Sequence, residues 1–179
     1  MREASGWEDR ESYARFLTLQ YRARSPIEAW LAANAPKDMQ PPPQCPAIVR
    51  DLAALGSQSW AMSRSPCANF LAPEQTGAQA TGIAWVLAGS ALGNRSILKE
   101  LGRAGRSDWP TEFLADAAML GFWSDLKRRM QGVASRRDID SATQGALAAF
   151  DHFLALALAS GARGSDLRDH THACPVSLQ

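Results

Sequence analysis

The chain is poor in the residues that define several protein classes, and each shortage removes one. Cysteine occurs only three times, at Cys45, Cys67 and Cys174, an odd and scattered set with no metal-type pairing. That argues against a disulfide scaffold or a zinc site and suits a reducing compartment, so a cytoplasmic location is expected. Charge of one sign is lacking: 19 Lys and Arg stand against 18 Asp and Glu, giving +1. No basic block is interleaved with aromatics, so nucleic acid is not an expected partner. Long apolar runs are missing too. The longest, Phe153 to Ala159, falls far below the roughly 20 residues that span a bilayer, and polar residues follow Met1, so no membrane segment or leader is expected. Histidine is confined to His152, His170 and His172. No G-x-S-x-G elbow, phosphate-binding loop or paired-histidine metal motif is present.

What is present is helical periodicity. Apolar residues recur at threes and fours, no β-branched alternating run occurs, and 179 residues suit one domain. The expected fold class is all-α, with a single domain over 1–160 and a flexible tail over 161–179. Asp9 to Ala23 carries Tyr13, Phe16, Leu17 and Gln20 on one stripe. "SPIE" at Ser25 to Glu28 reads as the capping-box start of a second helix through Ala33. The proline-rich "APKDMQPPPQCP" is a loop, Ala47 to Leu55 a short helix closed by Gly56, and Ser57 to Gln75 a long connection. A helix from near Gly77 to Leu101 follows, then a glycine-containing turn. Asp108 or Thr111 starts a helix ending near Met130; Asp138 or Ser141 caps a last one through Ala159, stopped by Gly161.

The segment "TGIAWVLAGSALGNRSIL", Thr81 to Leu98, has the apolar content of a buried helix yet carries three glycines, each costing roughly 1 kcal/mol relative to alanine. At 100° per residue Gly82, Gly89 and Gly93 fall within about 20° of one line. Such a bare row serves close helix packing, a kink, or the approach of a flat ligand to the backbone.

"WVLAGSALGNRSI" resembles the distal-helix motif of bacterial biliverdin-producing heme oxygenases, especially the bacteriophytochrome-associated branch, whose pattern is approximately Y-V-x-E-G-S-x-L-G-G-x-x-I. Trp85 takes the tyrosine position, Ala88 the glutamate and Asn94 the second glycine of the pair. "DRESYARFL", "CPAIVRDLAALG", "FLADAAMLGFWSDLKRRM" and "ALAAFDHFLALAL" are similar, in order, to that family's successive helices, so the resemblance covers roughly Asp9 to Ala159. It implies a heme-oxygenase-like bundle with a glycine-kinked distal helix, binding heme b as substrate or ligand. The family activity is oxidative cleavage of heme to biliverdin, iron and carbon monoxide with electrons from a reductase; the cofactor carries that chemistry and the protein positions it.

Carried over residue by residue, the resemblance makes Gly89 and Gly93 the distal floor, and Ser90 the holder of an ordered water. Arg95 and Lys127 become candidate partners of the heme propionates, and Phe150 packs on the heme edge. For Lys127 a solvated, dipole-favoured helix end is the alternative reading; for Phe150 it is core packing, and for Arg95 a neighbouring acidic group. The family's iron-binding histidine lies on a helix upstream of the "ESYARFL" match, where this sequence has only Met1 to Gly6. The remaining candidates for iron are His152 and the Cys-Pro cysteines Cys45 and Cys174, although thiolate ligation favours other oxygen chemistry. Two explanations fit: a start downstream of the true one, or a divergent relative that keeps the fold to bind heme, a bilin or a signalling partner. Ala88 and Asn94, changes inside the motif itself, favour divergence. Without a first helix an apolar groove is left bare, so a homodimer or protein partner is expected to cover it.

Overall fold

The computed structural model describes residues 7–57, 70, 72–73, 76–132 and 134–169, with side chains as far as 160. His170, His172, Cys67, Cys174 and most of the Ser57 to Gln75 connection lie outside the described residues. All regular structure among those described is helical: α1 (Arg10–Asn34), a 3₁₀ turn (Lys37–Met39), α2 (Cys45–Ala54), α3 (Gly77–Arg103), α4 (Ala117–Arg129) and α5 (Arg136–Asp169). The all-α class is as expected.

Local chemistry explains most of the helix ends. Asp9 caps α1 in a reciprocal box with Ser12: the Ser12 amide donates to the Asp9 carboxylate at 2.7 Å and the Asp9 amide to the Ser12 hydroxyl at 3.0 Å. Those amide and hydroxyl donors hold the Asp9 carboxyl below its ordinary pKa. Gly56, at φ 66°, follows the end of α2. Gly105, at φ 72°, closes α3 in a Schellman arrangement: the Arg106 amide reaches the Leu101 carbonyl at 2.9 Å and the Gly105 amide reaches Gly102 at 3.1 Å.

Four boundaries differ from the sequence reading. Pro26 does not begin a new helix but sits inside α1, which runs unbroken from Arg10 to Asn34. An interior proline costs about 3 kcal/mol through a lost amide bond and a ring clash. Packing offsets this, because α1 is anchored on both sides of Pro26, by Tyr13 and Leu17 in one buried cluster and by Ile27 and Leu31 in another. Glu28, read as the capping glutamate of that second helix, instead accepts from the Gln44 amide at 3.0 Å and the Cys45 amide at 3.3 Å, capping α2. Helix α4 starts at Ala117 with Asp116 as its cap rather than at Asp108 or Thr111. The turn before it is held by the buried Asp51 of α2, which accepts from the amides of Glu112 and Phe113 at 3.0 and 2.9 Å. Helix α5 starts at Arg136, because Ser135 and Asp138 form their own reciprocal box, and it runs through Gly161 to Asp169.

Helix α3 takes part in all three buried clusters. Its first turns meet the end of α1 and α5 (Ile27, Leu31, Ile83, Val86, Leu87, Ala149); its middle meets α4 (Ala84, Ala88, Ala91, Met119, Trp123, Leu126); its end meets the start of α1, α2 and the turn before α4 (Tyr13, Leu17, Ile48, Leu101, Phe113). Helices α3 and α5 run in the same direction, since Thr76 meets Ser141 at 3.0 Å, Gln79 meets Gly145, Gly82 meets Ala142 and Ala146, and Val86 shares a cluster with Ala149.

That contact is backbone on backbone. A Cβ at Gly82 would overlap the Ala142 carbonyl and stand 3.0 Å from the Ala146 nitrogen; one at Gly145 would overlap the Gln79 carbonyl. Gly93 is the opposite case, exposed and with nothing within 4 Å of where a Cβ would be. The two glycines therefore give opposite signs on substitution. Gly82→Ala is expected to cost about 3 kcal/mol or to prevent folding, through overpacking against a rigid backbone. Gly93→Ala is expected to stabilise by about 0.5–1 kcal/mol, from reduced unfolded-state entropy. Urea unfolding of both variants measures this; similar effects at the two positions would contradict the assignment.

Candidate functional site

The glycine row divides into three environments. Gly82 is consumed by the α5 crossing. Gly89 faces the Trp123 indole, whose Cη2 would lie 3.4 Å from a Cβ at that position. Gly93 is open. Next to the row, Trp85 of α3 lies against the buried Trp123 of α4 with ring centroids 4.2 Å apart.

Helices α4 and α5 both pack on α3 but hardly on each other. Between them a cavity of about 600 Å³ opens above the first turns of α3. Ala78, Gly82 and Trp85 form its floor, Arg129 and Met130 one wall, and Ile139, Ala142 and Ala146 the other, with Met39 entering from the 3₁₀ turn. Its volume is in the range of pockets that take small organic ligands, and the lining is mostly apolar with a few polar groups at the edge. Arg129 is held there by Asp38, with Nη1 3.0 Å from a carboxylate oxygen and 3.6 Å from Met39 Sδ. None of the sequence-derived candidates lines this cavity. The signal for it was Gly82, at the N-terminal end of the same row, together with Trp85.

The other candidates fall in separate places. Ser90 turns toward α1: its hydroxyl donates to the Leu87 carbonyl at 2.7 Å and accepts from Arg24 Nη2. Arg95 is exposed on α3. Lys127 stands over the Trp123 ring at 5.6 Å, a cation–π contact on the surface of α4. Phe150 is exposed on α5. Cys45 is half-buried at the first turn of α2. His152 packs edge-on against Phe70 at a centroid distance of 5.5 Å, and its buried Nε2 has no partner among the described residues. Burial holds the imidazole below its ordinary pKa, against the nearby Ala23 carbonyl, which favours the protonated ring. No group of three or more metal-ligating side chains occurs among the described residues.

These positions test the family's arrangement of heme. A macrocycle lying on both Gly89 and Gly93 needs bare backbone at both, and the Trp123 indole already covers Gly89. The residues present therefore do not fit a heme seated on that floor, and no oxygen chemistry is derived from it. One departure in the motif agrees with the packing. Ala88 is fully buried beneath Met119, Trp123 and Leu126, where a glutamate would be an uncompensated charge. At the other departure, Asn94 is buried and its Nδ2 has no partner among the described residues.

A polar cluster that periodicity did not reveal lies between α1 and α3. Arg24 is fully buried; its Nε donates to Gln20 Oε1 at 3.2 Å, Nη2 donates to Ser90, Nη1 has no partner among the described residues, and the guanidinium lies 5.1 Å over the Phe113 ring. Burial pulls its pKa down to about 10, with Glu28, Cys45 and Asp116 acting in the opposite direction, so it stays charged at neutral pH. The buried Gln44 side chain bridges to Asp116 at 3.0 Å. Only an apolar stripe is legible in α1, and a cation inside that stripe gives no sign of itself.

Comparisons with protein-family models, with curated proteins and with solved structures return no match in any of the three.

The His152 environment carries a sign that can be measured. Its folded pKa lies below the ordinary 6.5, so between 6.5 and that lower value the unfolded chain binds more protons and the fold loses stability as pH falls. Urea midpoints at steps through this window are expected to drop for the wild type and to drop less for His152→Gln. Equal slopes for the two proteins would contradict the burial argument.

Proposed function

We propose that the protein is a divergent heme-oxygenase-like helical bundle that binds a tetrapyrrole, heme or a bilin, without cleaving it, in the cavity between α4 and α5. The motif resemblance supplies the ligand class, and the cavity floored by Gly82 and Trp85 carries the reading. Three short side chains, Ala78, Ala142 and Ala146, leave room for a flat body, and Trp85 gives it an aromatic face to stack on. Arg129 at the edge offers a guanidinium to a carboxylate, the group both heme and bilins carry, in exchange for its surface contact with Asp38. The reading assigns no ligand to iron: the cavity lining holds neither histidine nor cysteine.

The catalytic reading of the same resemblance needs the ring on Gly89 and Gly93 and an axial ligand facing it. The two readings separate by substitution. Ala78→Phe fills the cavity floor at a partly exposed helical position, and Gly93→Leu blocks the family's floor without touching the cavity. Titration with hemin and with biliverdin, followed by ligand absorbance and tryptophan quenching, is expected to show binding weakened about 10-fold or more by Ala78→Phe, about 1.4 kcal/mol, and unchanged by Gly93→Leu. The opposite pattern would assign the ligand to the distal floor. Absence of binding to the wild-type protein would remove the tetrapyrrole reading altogether.

A further inference from the structure

Among the described residues, the side of helix α5 turned away from α3 carries a row of exposed apolar side chains. Leu147, Phe150, Leu154 and Leu158 are 49, 59, 56 and 65 % exposed. With Ile139 and Thr143 they follow a spacing of four, four, three, four and four residues, which places all six in an arc of about 100°. The strip runs from the mouth of the cavity, where Ile139 sits, to the end of the described side chains. Its large side chains expose on the order of 500 Å², at the upper end of what a monomer carries in one patch.

We infer that this strip is the interface of a homodimer, in which α5 of one copy lies along α5 of a second. This inference is independent of the tetrapyrrole reading. The three-and-four spacing of Leu147, Phe150, Leu154 and Leu158 suits a partner helix, which sets knobs between side chains one turn apart. The exposed Ala155 and the half-buried Phe153 lie to either side of the strip, extending the apolar face toward the ~800 Å² per partner that a stable interface needs. Between Leu147 and Ser160 the only charged residue is Asp151, so the face holds almost no charge with which to select a different partner, and a two-fold axis needs only one such strip.

A membrane is the competing occupant, since α5 over Arg136–Ser160 is long and apolar enough to cross one by length and composition. The polar residues argue against it. Asp138, Asp140 and Asp151 are exposed along the helix, and its cations over the described side chains are Arg136 and Arg137 at one end, whereas a helix lying on anionic lipid places Lys and Arg along its polar face.

Light scattering of the full chain at micromolar concentration is expected to give twice the 19.4 kDa chain mass. Leu154→Glu is expected to raise the dimer dissociation constant about 10-fold or more with the helical circular dichroism unchanged. Leu158→Lys, one turn further along, should do the same and provides the test if the first variant unfolds. Leu92→Glu, an exposed leucine on α3, should leave the mass doubled. A wild-type protein that is monomeric over this range overturns the inference. Among such results, sedimentation with phosphatidylserine-containing vesicles would assign the strip to a membrane, and loss of thermal stability in Leu154→Glu would assign it to other parts of the same chain. A doubled mass that survives both strip substitutions would place the dimer contact elsewhere and overturn the inference as well.

Discussion

The rest of the architecture depends on the place where α3 and α5 meet with no side chain between them. Gly82 against Ala142 and Ala146, and Gly145 against Gln79, bring two helix backbones into contact, which fixes both the distance and the direction of the crossing. Because α5 is held this tightly on one side of α3, and α4 lies on another side through Met119, Trp123 and Leu126, a wedge remains between them, and that wedge is the cavity. The same crossing occupies only the first part of α5. On the side of α5 turned away from α3, Leu147, Phe150, Leu154 and Leu158 face outward. Cavity and strip are two results of one close contact.

The glycine row shows how sequence and structure divide the work. Its regular spacing makes a single ligand floor the economical reading, and the helix itself, Gly77–Arg103, falls close to where periodicity places it. Spacing along one helix, however, does not state what faces each position. Gly82 meets a backbone, Gly89 an indole and Gly93 solvent, and those neighbours come from α5 and α4, more than thirty residues away in the chain. The stop at Gly56 and the glycine-containing turn after Leu101 were legible because each is a short-range rule satisfied within a few residues.

The misread boundaries have a common cause. Pro26, Asp108 and Asp138 all carry valid local signals, and each was overruled by a partner distant in sequence or by a second local signal a few residues away. Two buried clusters hold α1 together across Pro26. Asp51 supplies acceptors to the turn that precedes α4, so that turn is satisfied without becoming helix. Ser135 takes the capping role three residues before Asp138, which serves as the other half of the box. Glu28 is the clearest case: its position after Ser25 and Pro26 fits a capping box, yet its carboxylate reaches the amides at the start of α2.

The buried arginine on α1 also settles how α1 lies along α3. A guanidinium without water is tolerable only where acceptors await it, and Arg24 finds Gln20 on its own helix and Ser90 on the other. Sliding α1 by one turn, about 5.4 Å, would preserve an apolar stripe against apolar neighbours but would carry Nη2 out of reach of the Ser90 hydroxyl. Apolar side chains tolerate such a slip far better than a desolvated cation does. Arg24 therefore acts as a register lock, and its cost in solvation excludes alternative alignments that the surrounding leucines and alanines would accept.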